Sequence, residues 1–455
     1  VLGGQGEVPE GTANGTPVVV VAFDEFPLAS IETTGGRIDP RFRNFSRLTR
    51  ESTWYPQTLS VADETTAALP AILAGKRNGL EDPPTSGANP GNLFSLLAGA
   101  GYEVNADEAV TDLCPHEVCA DRGSARSRVS RLILNGVENA RTLPGGVVSE
   151  ATEPLTDQAN KLSPRPPKVV DQFIAGLDSG PDQLDFVHVM LPHVPWRYLP
   201  GGQQFEAPLA PGLDLEGGDE SVPWESPQGE INSAFQREQL QLLYTDKLLG
   251  RIVERMKKTG LWDEAMFVVV ADHGASFQHG LMRRHANEAN SGWILPVPLF
   301  IKYPGQKAGR TNQRPAETLD VLPTVLDVTG YEPPPELEAR SLLEPPGPRD
   351  EVTVESTAKG TITLNRSGVD QLRGQAVGLR TENFASGSPW ALAGHPNLLG
   401  KPVASIPGLR PVDATFNDPW PEADAKPEEK ILPAYVTGMV TEPINYQTPL
   451  AIVLN

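Results

Sequence analysis

The sequence predicts an α/β fold in which a mostly parallel central β-sheet is sandwiched by helices. Two apolar runs carry this prediction. The run at residues 18–23 contains four consecutive valines, and the run at residues 265–271 contains three. Uninterrupted β-branched runs are typical of strands buried on both faces, as in a parallel sheet covered by helices. Strand and helix patterns alternate up to about residue 335, which supports the same class.

The remaining elements of this fold follow from periodicity and from Gly and Pro punctuation. Helices are predicted at residues 42–49, 65–75, 89–101, 167–177, 236–258 and 318–329. Strands are predicted at residues 54–60, 102–104, 184–191 and 298–303. Pro70 is expected in an irregular first turn of its helix, because proline cannot donate a backbone hydrogen bond.

The chain divides into three parts by composition. Residues 1–16 are expected to be a flexible lead-in, and residues 17–335 a catalytic domain. Residues 336–455 begin with a proline-rich connector and continue as a small β-rich C-terminal region. Within it, residues 351–365 alternate with period two, which predicts a β-hairpin or a small sheet.

Charge and hydropathy narrow the class of protein. The 455 residues carry a formal net charge of −20, which argues against a nucleic-acid partner bound through phosphate contacts. No apolar run approaches the ~18 residues that span a bilayer. The sequence starts with Val and ends on an apolar run at residues 450–454. We therefore expect an extracytoplasmic domain, on the outer face of the cell membrane, whose membrane segments lie outside this sequence.

The two cysteines, Cys114 and Cys119, are five residues apart. One interpretation is a metal or redox pair, but the spacing is wrong for a thioredoxin motif and a second pair for structural zinc is absent. The other interpretation is a short local disulfide, which requires an oxidising compartment. The spacing favours the disulfide.

Polar residues follow several of the predicted strands. Asp24 and Glu25 end the first run, and Asp272 and His273 end the second. Each Asp alone is typical of a cap or turn. The two strand ends together favour a site for a divalent metal, because a carboxylate and an imidazole suit Zn²⁺ or Mn²⁺. His193 follows another strand.

Thr65 begins a helix, where backbone N–H groups favour an anion. Together with the metal, these groups suit attack on a phosphoester.

The chain resembles the alkaline phosphatase and sulfatase superfamily, specifically its sulfatase-like hydrolase/transferase branch. The resemblance covers roughly residues 17–335 and rests most specifically on the Ala271–Gly274 segment, ADHG, after a strand. Further matches are the strand ending at Asp24, residues 65–75, 192–196 and 319–324, and the helix carrying Tyr244 and Asp246.

The resemblance implies an alkaline phosphatase-like fold and a set of site residues. One divalent metal, Zn²⁺ or Mn²⁺ in preference to Ca²⁺ or Mg²⁺, would be bound by Asp24, Thr65, Asp272 and His273, with Glu25 replacing or supplementing Asp24. Thr65 would be the nucleophile, with Thr66 the alternative if the helix starts one residue later. His193 would contact the transferred group or the leaving oxygen.

The loop beyond the metal motif carries two further histidines. His279 and His285 flank Arg283 and Arg284. These residues are interpreted either as a clamp for substrate phosphate or as a solvated basic loop. The expected substrate-binding residues are His193, Trp196, Arg284 and His285.

The sequence departs from sulfatases at the nucleophile. Sulfatases carry a Cys or Ser, in a C/S-x-P-x-R element, that is converted to formylglycine, whereas Thr65 is followed by neither that Pro nor that Arg. Threonine nucleophiles belong to the phosphate branch, which includes membrane-anchored phosphoethanolamine and lipoteichoic-acid-type transferases. We therefore expect a phosphotransferase or phosphodiesterase with a covalent phosphothreonine intermediate, acting on a phosphorylated envelope or lipid-linked substrate.

Two alternatives remain. One is a sulfatase-like sulfuric ester hydrolase with an atypical nucleophile, and the other is a non-catalytic envelope interaction module.

Overall fold

The computed structural model describes residues 13–119, 166–206, 222–334, 337–384, 387–389, 401–408, 410–416, 431–433 and 438–441. The strands are β1 (Val18–Asp24), β2 (Thr53–Trp54), β3 (Thr58–Leu59), β4 (Glu103–Asp107), β5 (Gln183–Pro192), β6 (Gln204–Glu206), β7 (Met266–Ala271), β8 (Leu299–Lys302), β9 (Arg310–Thr311), β10 (Ala316–Glu317), β11 (Glu351–Ser356), β12 (Gly360–Asn365), β13 (Ala414–Phe416), β14 (Ile431–Pro433) and β15 (Gly438–Val440).

The helices are α1 (Arg43–Glu51), α2 (Thr65–Ala74), α3 (Leu93–Gly99), α4 (Pro166–Gly176), α5 (Gln228–Thr259), α6 (Leu261–Glu264), α7 (Ser291–Ile294), α8 (Val321–Thr329) and α9 (Arg366–Asn383). Short 3-10 turns occur at Leu28–Ser30, Thr318–Asp320 and Val403–Ser405. Among the helices described, none is long and apolar enough to cross a membrane.

A seven-stranded sheet in the order β4-β5-β1-β7-β8-β2-β9 forms the centre of the fold. Strands β4, β5, β1 and β7 are mutually parallel, and β8 runs antiparallel to both β7 and β2. Helices cover both faces. The predicted fold class, a mostly parallel sheet between helices with a small C-terminal sheet, is confirmed.

The alternation of side chains in β1 explains why its apolar run is unbroken. Val19, Val21 and Phe23 pack into the core beneath α1, α4 and α5. Val18, Val20 and Ala22 pack into the core on the other face, beneath α2, α3 and α8. Because both faces of the strand are buried, every position must be apolar.

The position of Pro70 differs from the sequence-based prediction. It lies in the middle of α2, not in an irregular first turn. Residue 70 of a helix would normally donate to the carbonyl of Thr66, and the Nδ2 atom of Asn78 lies 3.5 Å from that oxygen. A side chain outside the helix thus offers a donor where the proline has none, and α2 continues to its left-handed end at Gly75, where φ is +64°.

The C-terminal part contains the predicted hairpin, β11 and β12, and a helix that the sequence analysis missed. The expected tail beyond residue 365 begins with the 18-residue helix α9. This helix packs closely on α7, since a Cβ atom on Gly292 would lie 2.3 Å from the backbone nitrogen of Arg373. Residues 351–383 therefore pack against the chain that precedes the proline-rich connector.

The structure contains the predicted disulfide between Cys114 and Cys119, whose Cα atoms are 5.9 Å apart. Glu108 anchors the same loop. Its buried carboxylate accepts hydrogen bonds from the Thr111 hydroxyl and from the backbone N–H groups of Leu113 and Cys114.

Candidate active site

Strands β1 and β7 deliver their terminal acids to the same edge of the sheet. The two strands pair in parallel with Phe23 opposite Ala271, so Asp24 and Asp272 follow paired residues. The backbone N–H of Asp272 donates to the carbonyl of Phe23 at 3.1 Å, and the N–H of Glu25 donates to Asp272 Oδ1, also at 3.1 Å. The two strand ends, 248 residues apart in sequence, thus form one site.

Asp24, Asp272 and His273 form a compact group of donor atoms. One ligand atom from each lies within 4.8 Å of the others, and all three side chains are buried. It is the one group of this kind in the part of the chain that the structure describes. Two carboxylates and an imidazole are a donor set that suits a divalent transition metal, so the residues present fit such an ion.

Hydrogen bonds to the backbone fix the orientation of two of these donors. His273 N–H donates to Asp272 Oδ1 at 2.6 Å. The Nδ1 atom of His273 lies 3.1 Å from the carbonyl of Gly274. Because that carbonyl can only accept, it favours the proton on Nδ1 and leaves the lone pair on Nε2. Burial raises the pKa of Asp272 to about 6. Hydrogen bonds from the backbone N–H groups of His273 and Glu25 act in the opposite direction and lower it.

The residue after this histidine must be glycine. A Cβ atom at Gly274 would lie 2.3 Å from the carbonyl oxygen of Trp293. The Asp-His-Gly segment therefore passes against the backbone of α7 with no room for a side chain.

Thr65 presents its hydroxyl to this cluster from the first residue of α2. Its Oγ1 lies 3.4 Å from His273 Nε2, and its side chain is only 4% exposed. The preceding residue, Glu64, is extended and its carbonyl accepts from the N–H groups of Ala67 and Ala68, which starts the helix there. The positive end of the helix dipole therefore lies at the hydroxyl.

Arg284 joins the cluster to a second set of charged groups. Its Nη2 donates to Glu64 Oε2 at 2.7 Å and lies 3.1 Å from His273 Nε2. Its Nη1 lies 3.4 Å from His193 Nε2. The guanidinium is buried among Glu64, His273 and His193.

Glu25 faces these cations. Its backbone has a positive φ of +54°, which turns the side chain away from the course of β1. One carboxylate oxygen is hydrogen-bonded to Arg283, and the other lies 3.3 Å from His193 Nε2. Glu25 does not belong to the donor group of Asp24, Asp272 and His273.

His193 lies just past the end of β5. Its Nδ1 is 2.6 Å from the carbonyl of Val194. Burial lowers the pKa of His193, as do Arg284 and Arg283, while Glu25 opposes the shift. These neighbours favour a neutral imidazole, whose Nε2 atom faces Arg284 and Glu25.

The other histidines and Trp196 differ in their placement. His285 Nε2 lies 3.5 Å from Glu64 Oε1, within the site. His188 is buried in the sheet, and its Nε2 lies 3.4 Å from Asp24 Oδ2. His279 is exposed, with Nδ1 2.9 Å from the carbonyl of Ser226. Trp196 is 2% exposed and packs on Phe277, with ring centroids 5.3 Å apart, a packing that gives no support to its predicted role in substrate binding.

Sequence reasoning missed two acids in the site, Asp63 and Glu64. Glu64 pairs with Arg284 and His285. Asp63 is buried and accepts from the N–H of Ala286, just beyond these residues. The acids directly before Thr65 were the available signal, since two charged residues at the start of an apolar helix need partners.

Comparisons with known proteins find similar sequences. A sulfatase family model matches residues 153–331. Over 101 residues the chain is 36% identical to the multifunctional alkaline phosphatase superfamily protein PehA of Trinickia caryophylli, covering 22% of this chain and 19% of that protein. It is 30% identical over 169 residues to an ulvan-active sulfatase of Formosa agariphila, a match that covers 35% of this chain and 31% of that protein. These matches thus span less than a third of the curated relatives' length.

Two solved structures share the fold at low sequence identity. A 2-O GAG sulfatase superposes with a TM-score of 0.51 at 13% identity, covering 79% of this chain and 87% of that one. The C-terminal periplasmic domain of EptC from Escherichia coli superposes with a TM-score of 0.50 at 14% identity, covering 80% and 96%.

Proposed function

We propose that this chain belongs to the alkaline phosphatase and sulfatase superfamily, whose enzymes act on sulfate or phosphate esters, and that it is a metal-dependent phosphotransferase or phosphodiesterase. The observation that carries the proposal is the Thr65 hydroxyl, buried at a helix N-terminus 3.4 Å from His273 Nε2. We take this hydroxyl as the nucleophile, because it lies beside the donor group of Asp24, Asp272 and His273.

In the proposed step, Thr65 Oγ1 attacks the phosphorus of a phosphoester. The new P–O bond to Thr65 forms as the bond to the leaving alcohol breaks, and the hydroxyl proton is lost to solvent while the leaving oxygen gains one. A divalent metal held by Asp24, Asp272 and His273, with Thr65, would supply Lewis-acid stabilisation of the alkoxide and the substrate oxyanion. Water or an acceptor hydroxyl then takes the phosphoryl group from Thr65.

The cationic groups beside Thr65 suit the non-bridging oxygens of the transferred group. Arg284 is buried and lies between His273 and His193, and a planar guanidinium has the geometry to recognise phosphate oxygens. Glu25 and Glu64 hold the two arginines and His193 in place. His193 is proposed to contact the leaving oxygen, and His285 to support Arg284 through Glu64.

The Cys114–Cys119 disulfide supports an extracytoplasmic location, because disulfides persist in oxidising compartments. A phosphorylated envelope component or lipid-linked molecule is the substrate class we propose there, with the membrane reached through segments outside this chain. Zn²⁺ or Mn²⁺ is the proposed metal.

A second candidate function is hydrolysis of sulfate esters. It is favoured by the sulfatase family model over residues 153–331 and by the ulvan-active sulfatase among the relatives. Threonine cannot become formylglycine, so a sulfatase of this chain would need Thr65 itself as its nucleophile.

One assay separates the candidates. The protein, loaded in turn with Zn²⁺ and Mn²⁺, is incubated with matched p-nitrophenyl phosphodiester, phosphomonoester and sulfate ester. We expect turnover of a phosphoester, and acid-quenched samples should carry a phosphoryl group on a peptide containing Thr65. Faster turnover of the sulfate ester would favour the second candidate. No turnover of any ester with either metal would favour a non-catalytic envelope module.

A further inference from the structure

A single glutamine on α5 contacts both sides of the turn that carries His193. The Nε2 group of Gln241 donates to the carbonyl of Pro192 at 3.0 Å and to that of His193 at 2.9 Å. Its Oε1 accepts from the N–H of Arg197 at 2.9 Å and of Tyr198 at 3.2 Å. The carboxamide therefore uses two donors and two acceptor positions on one loop.

We propose that Gln241 is a positioning residue for His193. The proposal rests on the function proposed above only for the chemical role of His193. That Gln241 fixes the position of the imidazole is argued from the hydrogen bonds alone. Residues 192–198 include Pro192 and Pro195, which have no backbone N–H, so few local hydrogen bonds can hold the turn. Gln241 supplies partners from outside the turn to backbone groups that are buried or partly buried.

The support for Gln241 is rigid. The side chain is fully buried, and α5 is a 32-residue helix whose apolar side packs into the main core. All four backbone atoms that Gln241 contacts lie within five residues of the imidazole. Displacement of these backbone atoms would carry His193 Nε2 away from Glu25, 3.3 Å distant, and from Arg284, 3.4 Å distant.

Two substitutions test different halves of this contact. Gln241→Leu removes all four hydrogen bonds at similar volume. Gln241→Glu keeps an acceptor for Arg197 and Tyr198 but turns a carboxylate toward the carbonyls of Pro192 and His193, where donors are required. Gln239→Leu is the matched control. It lies on the same helix and is equally buried, and its amide donates to the carbonyl of Ser30 and accepts from Arg380.

The first readout does not depend on turnover. Amide hydrogen exchange should accelerate at Arg197 and Tyr198 in Gln241→Leu and remain at the wild-type rate there in Gln239→Leu, with similar losses of Tm in the two variants. Unchanged exchange at both amides in Gln241→Leu would overturn the proposal. This result stands even if the wild-type protein turns over no ester, an outcome that counts against the proposed function alone.

The second readout is a double-mutant comparison on the metal-loaded enzyme. Gln241→Leu and Gln241→Glu should each lower kcat by about 10- to 100-fold with KM changed only a few-fold, because a misplaced group costs roughly this much. Adding Gln241→Leu to His193→Ala should cause no further loss, since the two act through one side chain. Full additivity of the two losses would contradict a positioning role.

Discussion

The carboxylate of Asp63 binds Thr357, a residue 294 positions later in the chain. Its Oδ1 accepts from the hydroxyl of Thr357 at 2.9 Å and from its backbone N–H at 3.1 Å, and its Oδ2 accepts from the N–H of Ala286 at 2.5 Å. Asp63 lies two residues before Thr65, and Ala286 follows the loop of Arg283 and Arg284. The turn of the C-terminal hairpin thus contacts Asp63, which in turn joins the two halves of the candidate site.

The link between Asp63 and Thr357 predicts that the hairpin supports activity. Thr357→Val removes the hydroxyl donor and leaves a buried carboxylate with one fewer partner, which should lower the free energy of unfolding by about 1–2 kcal/mol. We also expect a several-fold fall in kcat. Chemical denaturation and steady-state kinetics measure the two effects.

A matched control exists in the same hairpin. Thr363 is exposed on β12, with its hydroxyl 3.4 Å from that of Thr353. Thr363→Val should leave both stability and kcat near the wild-type values. Equal effects of the two substitutions would show that Asp63 gains nothing specific from Thr357.

The nucleophile is tested by comparing adjacent threonines on α2. Thr65 is buried with its Oγ1 beside His273, whereas Thr66 is one residue further round the helix, about 100° away, and is partly exposed. Thr65→Ala should reduce phosphoester turnover by several orders of magnitude, because it removes the group that forms the bond. Thr66→Ala should have a mild effect. Near-normal activity of Thr65→Ala together with an inactive Thr66→Ala would shift the assignment by one residue.

The metal assignment is tested without an activity assay. Asp272→Ala removes one of the three clustered donors, so stoichiometric binding of Zn²⁺ or Mn²⁺ should be lost while far-ultraviolet circular dichroism remains that of a folded protein. Elemental analysis after dialysis gives the metal content. Asp178→Ala, at an exposed carboxylate, serves as the control. Full metal content in Asp272→Ala would exclude Asp272 as a ligand.

The sheet and its two acidic strand ends could be predicted because their signals are local. Strands buried on both faces must be apolar throughout, and β1 and β7 are. Parallel strands also end at the same edge, so Asp24 and Asp272 could be expected to meet. The start of a helix at Thr65 could also be predicted, but its proposed role as nucleophile came only from the resemblance to a known family.

Other features depend on contacts that no local pattern contains. Pro70 is tolerated inside α2 because Asn78, beyond the helix, offers a donor to Thr66. Glu64 and Arg284 are 220 positions apart and pair through side chains on irregular segments. Helix α9 was missed for a different reason, since the Pro and Gly content of the whole tail concealed its regular stretch.

Helix α5 also carries Glu238, a buried acid close to the site. Its carboxylate accepts from the Nε2 group of Gln239 at 3.0 Å. Burial raises its pKa to about 7 from an ordinary value of 4.5. Hydrogen bonds from Gln239 and Ser30 and the charge of Arg380 act to lower it. The folded protein therefore holds a proton on Glu238 over a pH range in which the unfolded chain has released it.

This shift predicts how stability depends on pH. The folded state binds the proton more tightly than the unfolded state, so Glu238 costs nothing below about pH 4.5, destabilises progressively as the pH rises from there to about 7, and adds no further cost above that. Glu238→Gln keeps an acceptor for Gln239 and removes the ionisation. Its free energy of unfolding should match that of the wild type near pH 4 and exceed it by roughly 1–3 kcal/mol at pH 8, since each pKa unit is worth about 1.4 kcal/mol. Denaturation at both pH values, with exposed Glu254→Gln as the control, measures the difference. A gain of the same size at pH 4 and pH 8 would mean that the effect comes from packing and not from the proton on Glu238.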